Sequence, residues 1–363
     1  MQIDFHHAVT YVLARAAGFE HPEADIISYA AQYVDDAVSS GVVRFDNDAI
    51  ATQISSAHKS FEVENLNNPD NVVVWLPFHF LPGNGGKPAG QSPEGTFIQK
   101  LVCTPDSPIA NEMVRACILD CNKPYGLHRL GVTMHVYADT WAHQGFAGVL
   151  HEINEIHDLE ETGGTHVVGS IFELLASKTA PPVGHGRALT LPDMPFLSWK
   201  YRNGQGAPIS RNNTDLFCEA AESMCKAMRR FRCQNPDAAV PGLAAEDRQT
   251  IRSLFTNLTQ EDGAERHQQW IQAVRTGAFT FGKADIAYSE TAWESVALQR
   301  PAAAAAAAAG GGFDPFKIPG WPNVYHYTDS FLQSNWRLFQ DAVQLHRFTV
   351  GRDILPKYGI CSG

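Results

Sequence analysis

Residues 125–144 read YGLHRLGVTMHVYADTWAHQ, and their spacing decides the fold. His135, Asp139 and His143 recur every four residues. An α-helix turns about 100° per residue, so each such step drifts only about 40° and all three project from one face. His128, seven residues before His135, drifts about 20° and joins the same stripe. The flanks Leu127, Leu130, Val132, Met134, Trp141 and Phe146 are apolar. Imidazole and carboxylate inside an otherwise buriable helix are costly unless their lone pairs find partners. A divalent metal satisfies several at once, and His-x-x-x-Asp sets a nitrogen and an oxygen ligand one helical turn apart. A lone His-x-x-x-Asp is better explained by a solvated face or a hydrogen-bonded pair. Four members between apolar flanks favour metal.

Working outward, the chain reads as mostly helical. The deciding helix is expected from Tyr125 to about Ile156, kinked at Gly145 and Gly148. Helical periodicity also marks Phe5–Ala17, Pro22–Ser39 (ended by Gly41), Ser107–Asn122, Asn213–Cys233, Ala244–Leu258, Glu261–Thr276 and Thr328–Phe348. Only Asn71–Phe80, with Val72, Val73, Val74 and Trp75, reads as extended. The expectation is an all-α, multi-helix bundle with long loops and few short strands, one domain over residues 1–363. Eight alanines and three glycines within residues 301–312 read as a low-complexity surface insertion.

Composition narrows the class. A hydrophobic content of 44% against 18% charged residues predicts a packed globule and excludes wholesale disorder. A net charge of -11 argues against a basic field for duplex nucleic acid. No run reaches the ~18 apolar residues of a membrane span. Asp4, His6, His7 and Arg15 interrupt any secretory signal pattern, so a cytoplasmic protein is expected. Seven cysteines, Cys117 and Cys121 among them, fit free thiols better than a disulfide framework.

Fifteen histidines are the informative count, and further ligand candidates follow from position. His6 shares a helix face with Val9 and Leu13 and points inward, whereas His7 is the bystander. Asp35 follows Ala31 and Ile27 by helical steps. It and Asp36 end a helix where anions are disfavoured, which suggests a nearby positive charge. His79, in PFHFLPG, sits at a loop junction beside aromatics; His58 is its alternative. A late pair is either His185 with Asp193, in GHGRALTLPDMPFLSW, or His151 with Glu155; the loop pair is preferred.

This order resembles the all-α superfamily of zinc-dependent phospholipases C and single-strand-specific nucleases. It runs from a first-helix His through a second-helix Asp and a central His-x-x-x-Asp with a further His to a late His/acid pair. Locally, DFHHAVTYVLARAAGF, AAQYVDDA, PFHFLPG and MHVYADTWAHQGF are similar to an uncharacterised bacterial and fungal domain family distantly related to it. The resemblance implies zinc ions in a cleft and hydrolysis of a phosphoester. It carries over to His6, Asp35 or Asp36, His58 or His79, and His135 with a bridging Asp139. His143 then starts a third site, completed by His185 with Asp193 or else by His151 with Glu155. The superfamily's N-terminal tryptophan, whose amine binds metal, has no counterpart here, so two ions or three are both open.

The expected activity is therefore metal-dependent hydrolysis, with Asp35 or Asp36 orienting the water. Nitrogen and carboxylate ligands favour zinc over manganese or iron. The expected substrate is a small-molecule or lipid-like phosphoester, for which Phe78, Phe80, Trp141, Phe146, Phe196 and Trp199 offer an apolar wall. Two other readings compete. An HD-type phosphohydrolase requires an adjacent His-Asp doublet, and His157-Asp158 is the one present. A non-enzymatic helical scaffold would carry a structural metal or none.

Overall fold

The computed structural model describes residues 1–57, 70–161, 181–301 and 323–361. A π-helical turn, Asp4–Val9, runs into α1, Thr10–Ala17. Then α2, His21–Asp36, starts on a capping box in which Glu20 and Glu23 exchange side-chain and backbone bonds, with Pro22 in the first turn. A hairpin follows, β1 Gly41–Phe45 and β2 Ile50–Gln53. Next come α3 Asp70–Phe78, α4 Ile98–Leu101, α5 Pro108–Leu119 and α6 Gly126–Ala142. Three strands, β3 Ile156–Glu161, β4 Ser198–Asn203 and β5 Pro208–Asn212, precede α7 Asn213–Arg232, α8 Ala245–Asn257, α9 Gly263–Thr276 and α10 Ala292–Ala297. Strand β6 Val324–Tyr325 and helix α11 Asn335–Phe348 close the order. None of the helices among the described residues is long and apolar enough to cross a membrane.

The fold is helix-rich but not all-α. One sheet has the order β2-β1-β6, with β1 antiparallel to β2 and parallel to β6; the other is the antiparallel β3-β4-β5. Two local misreadings explain the difference. The helix expected to Ile156 stops at Ala142, its chain turning at Gly145 (φ 85°), and Ile156 opens a strand instead. Conversely, the segment expected to be extended is α3. Its β-branched run favours a strand, but it packs against α6 and α11 with Val74, Leu76 and Phe78 buried, and that burial overrides propensity. The alanine-glycine stretch lies outside the described residues beyond Pro301.

What positions the site is the crossing of α2 and α6. A Cβ at Gly131 would lie 2.4 Å from the Ile27 carbonyl oxygen and 2.6 Å from Ala30 Cβ, so only glycine lets the two backbones touch. Around this contact α1, α5 and α7 bury Phe5, Val12, Met134, Trp141, Phe217 and Met224 in one core cluster. A second cluster joins α2 to α11 through Tyr33, Val132, Trp336 and Phe339. At the far end of α6, the buried Arg211 donates to the carbonyls of Trp141 and Ala142, supplying the cation and donors that a helix C-terminus lacks.

Candidate metal centre

Five imidazoles and three carboxylates from six segments converge beside the last turn of α6. Asp139, 1% exposed, is the hub. Its Oδ1 lies 3.3 Å from His6 Nε2, and its Oδ2 lies 3.4 Å from His135 Nε2 and 3.7 Å from both His79 Nδ1 and His143 Nδ1. Asp35, from the end of α2, stands 3.7 Å from His79 Nδ1 and from His135 Nε2. On the other side, Asp193 approaches His185 Nε2 at 3.6 Å and His143 Nε2 at 3.9 Å. Three groups each hold ligand atoms within 4.8 Å of one another: His6–Asp35–His135 and His79–His135–Asp139, which share His135, and the separate His143–His185–Asp193. The rings of His6 and His135 stack at 3.8 Å.

The orientation of the rings carries more than their proximity. Four of the five give one nitrogen to a backbone carbonyl: His135 Nδ1 to Ala31 (2.8 Å), His79 Nε2 to Ser56 (2.9 Å), His143 Nδ1 to His79 (2.6 Å) and His185 Nδ1 to Leu189 (2.8 Å). A carbonyl only accepts, so each of these nitrogens carries the proton and donates. In a neutral ring the other nitrogen then holds a lone pair, and in each case it faces the cluster. This is the outer-shell arrangement that fixes tautomer and aim in metal-ligating histidines. Neither nitrogen of the buried His6 makes a well-aligned hydrogen bond, Nε2 having only the Asp139 carboxylate at 3.3 Å, a costly state for a buried ring that an ion taking a lone pair would relieve. The residues present therefore fit a divalent cation with nitrogen and oxygen ligands.

Charge in the cluster is divided: burial acts to lower His79, but Asp139 and Asp35 outweigh it and raise that ring, whereas the rings of His6 and His143 go the other way. Burial lowers His6 to about 4 and His143 to about 3, so both rings are neutral at pH 7. Burial acts to raise the Asp193 carboxyl, but the Met1 amine, His185 and His143 outweigh it and hold the acid near 2. Asp139 behaves alike and lies well below the usual carboxylate range. Asp35, whose side chain is 33% exposed, is raised, chiefly by its partial desolvation, which outweighs His6 and His79. The Met1 amine donates to Asp139 at 2.7 Å and lies 3.2 Å from Asp193. Burial opposes its charge, yet the two carboxylates push it up to about 11.

The first residues are held against the centre by Arg266 of α9. This fully buried guanidinium donates to Asp4 (2.6 Å), to Gln2 Oε1 (2.6 Å) and to the carbonyls of Gln260 and Glu261. Neither this clamp nor the amine is visible in local spacing. An acid at position 4 and an arginine 262 residues later carry no pattern that links them.

Among the expected ligands His6, Asp35, His79, His135, Asp139, His143, His185 and Asp193 come together. Asp36 does not. One residue further along α2 it turns away, accepting hydrogen bonds from Tyr288 and from Gln32 Nε2. His128 also leaves the stripe. Seven residues are about 10 Å of helix, and at that height its ring meets Asn335 Oδ1 at 3.0 Å. His7 pairs with His267 at 2.8 Å, the bystander role expected of it. His151 accepts from the Ile153 amide and Glu155 binds Arg187, both outside the cluster, because the helix that would align them has ended. His157-Asp158 lies on β3, where the exposed Asp158 pairs with Arg202. Trp199 walls no cleft: it is fully buried and donates to Asn213. His58 lies outside the described residues.

The cluster opens on a cleft of ≈ 580 Å³ whose lining includes Ile3, Asp35, Thr190, Met194, Glu261 and Asp262. No lysine or arginine stands among the described residues that line it.

No curated protein and no solved structure matches the chain. A family model described as "Family of unknown function (DUF6765)" matches residues 1–354, nearly the whole length. The chain belongs to this family, and the buried histidine-aspartate cluster lies wholly within the matched residues.

Proposed function

We propose that this protein is a metal-dependent hydrolase of phosphoesters. The observation that carries the reading is the set of four imidazoles whose protonated nitrogens are spent on backbone carbonyls while their lone pairs converge on three buried or half-buried acids. His6, Asp35, His79, His135 and Asp139 would hold one or two ions, and His143, His185 and Asp193 a further one. Zinc suits imidazole and carboxylate ligands, with manganese or iron as alternatives. Such ions, when bound, supply Lewis acidity and a water acidified to near neutrality.

The chain's own residues do the rest. Asp35 is the ligand-cluster acid that reaches the cleft, the position from which a carboxylate can orient the attacking water and accept its proton. Asp139, buried and strongly ionised, holds charge at the centre rather than moving protons. The acidic cleft wall at Glu261 and Asp262 disfavours a polyanion and leaves room for a small ester with an apolar or neutral alcohol. The ligand order that resembles the phospholipase C and nuclease superfamily supports phosphoester over carboxylic ester.

The test pairs metal content with turnover. Zinc-loaded protein should hydrolyse bis(p-nitrophenyl) phosphate or p-nitrophenyl phosphate, and Asp35→Asn should lower kcat more than it lowers bound zinc. Zinc-replete protein inert toward a broad panel of phosphomono- and diesters would remove the phosphoester assignment.

A further inference from the structure

We propose that Phe80 is a positioning residue for the His143–His185–Asp193 group. The inference rests on the metal-binding reading above. Phe80 is 2% exposed, and its ring lies flat on that of His143, with centroids 4.4 Å apart and planes 18° from parallel. The same ring comes within 5.9 Å of His185, which in turn lies 4.8 Å from His143. The carbonyl immediately before Phe80, that of His79, accepts the His143 Nδ1 proton at 2.6 Å. The dipeptide His79-Phe80 thus holds His143 in two directions. The carbonyl fixes the ring in its own plane, and the phenyl face blocks rotation out of it. Nε2 is left aimed at Asp193, 3.9 Å away.

The socket around Phe80 is shaped for this. Gly184, directly before His185, has φ 54°, and a Cβ there would lie 2.2 Å from Phe80 Cζ. A Cβ at Gly148 would lie 2.7 Å from Phe80 Cβ. The missing side chains let the phenyl ring reach both imidazoles. Trp75, one turn earlier on α3, packs on it at 5.3 Å. Phe80 stacks on none of the other ligands: His6 stacks on His135 instead. Its influence should therefore be local to one of the three groups.

The experiment compares wild type with Phe80→Leu, which stays apolar but loses the flat face, and with Gly184→Ala, which pushes on the ring. Zinc per chain is measured by elemental analysis after desalting, and zinc affinity by competition with a chromophoric chelator. Phe80→Leu and Gly184→Ala should each weaken one zinc equivalent by roughly 10–100-fold, the range for outer-shell partners. Both variants will lose some stability, since Phe80 is buried and Gly184 has a positive φ, so the discriminating readout is that the other equivalents keep wild-type affinity. Unchanged affinity in Phe80→Leu overturns the proposal, and so does parallel loss of every equivalent, which would make Phe80 merely structural. Wild-type protein that takes up no zinc overturns the metal reading itself, a different result from wild-type binding that the variants share.

Discussion

His6 and His7 are consecutive and equally buried, yet they sit in two polar clusters built on opposite principles. On the His7 side, His7 and His267 bond to each other, and the Asp36 carboxylate accepts from Tyr288 and Gln32. Donors there meet acceptors, with His7 Nε2 the atom left over. On the His6 side, four rings send their N–H groups outward to carbonyls and turn their other nitrogens toward buried carboxylates, where the Met1 ammonium is the donor that meets Asp139. Pairing solves the cost of burial in the first cluster, and a cation is what solves it in the second. The boundary runs between Asp35 and Asp36, one residue apart on α2.

Substitutions should separate the two sides. The largest effect belongs to His135→Ala and Asp139→Ala, each of which should weaken zinc binding by more than about 100-fold and abolish hydrolysis, read by elemental analysis and a phosphoester assay. Next, stripping metal with a chelator should lower the melting temperature by roughly 5 °C, since a ligand at 100 times its Kd stabilises by about 2.7 kcal/mol. The same shift should persist in His7→Ala, whose cluster holds no ion in this account. His267→Ala should itself cost about 1–3 kcal/mol in urea unfolding, from His7 left unpaired, with zinc per chain unchanged.

A pH series sharpens the contrast. Burial lowers His7 to about 3 and His267 to about 4. Between the ordinary value near 6.5 and about pH 4, the unfolded chain binds protons that these folded rings refuse. Metal-free protein should therefore lose stability as the pH falls through that window, at about 1.4 kcal/mol per pH unit for each ring. His267→Gln should flatten the slope by about one ring's share, measured as urea midpoints from pH 6.5 to 4.5. The smallest effect is that of Asp36→Asn, about 1 kcal/mol of stability with full zinc content, against the kcat loss expected of Asp35→Asn.

The central helix was legible because side-chain chemistry and helical period coincide: His135, Asp139 and His143 reach one point from one helix. The same arithmetic failed at His128, since it measures angle around the axis and ignores height along it. Asp35 and Asp36 were inseparable for a related reason: the choice depends on how α2 crosses α6, and Gly131 sets that crossing from another segment. Strand propensity misled at Val72–Val74 because burial against α6 and α11 outweighs it. The carbonyl partners of the imidazoles carry no side-chain identity, so no reading of residue types finds them. Arg266 and the Met1 amine act across more than 100 residues and leave no local trace.

The most direct test is the metal content of the purified chain. After zinc loading and desalting, elemental analysis should find two to three ions per chain, one or two in the groups that share His135 and one in the His143–His185–Asp193 group, and a His135→Ala/Asp139→Ala double variant should retain at most the last of these. Wild-type protein that carries no metal, and whose melting temperature a chelator leaves unmoved, would contradict the account.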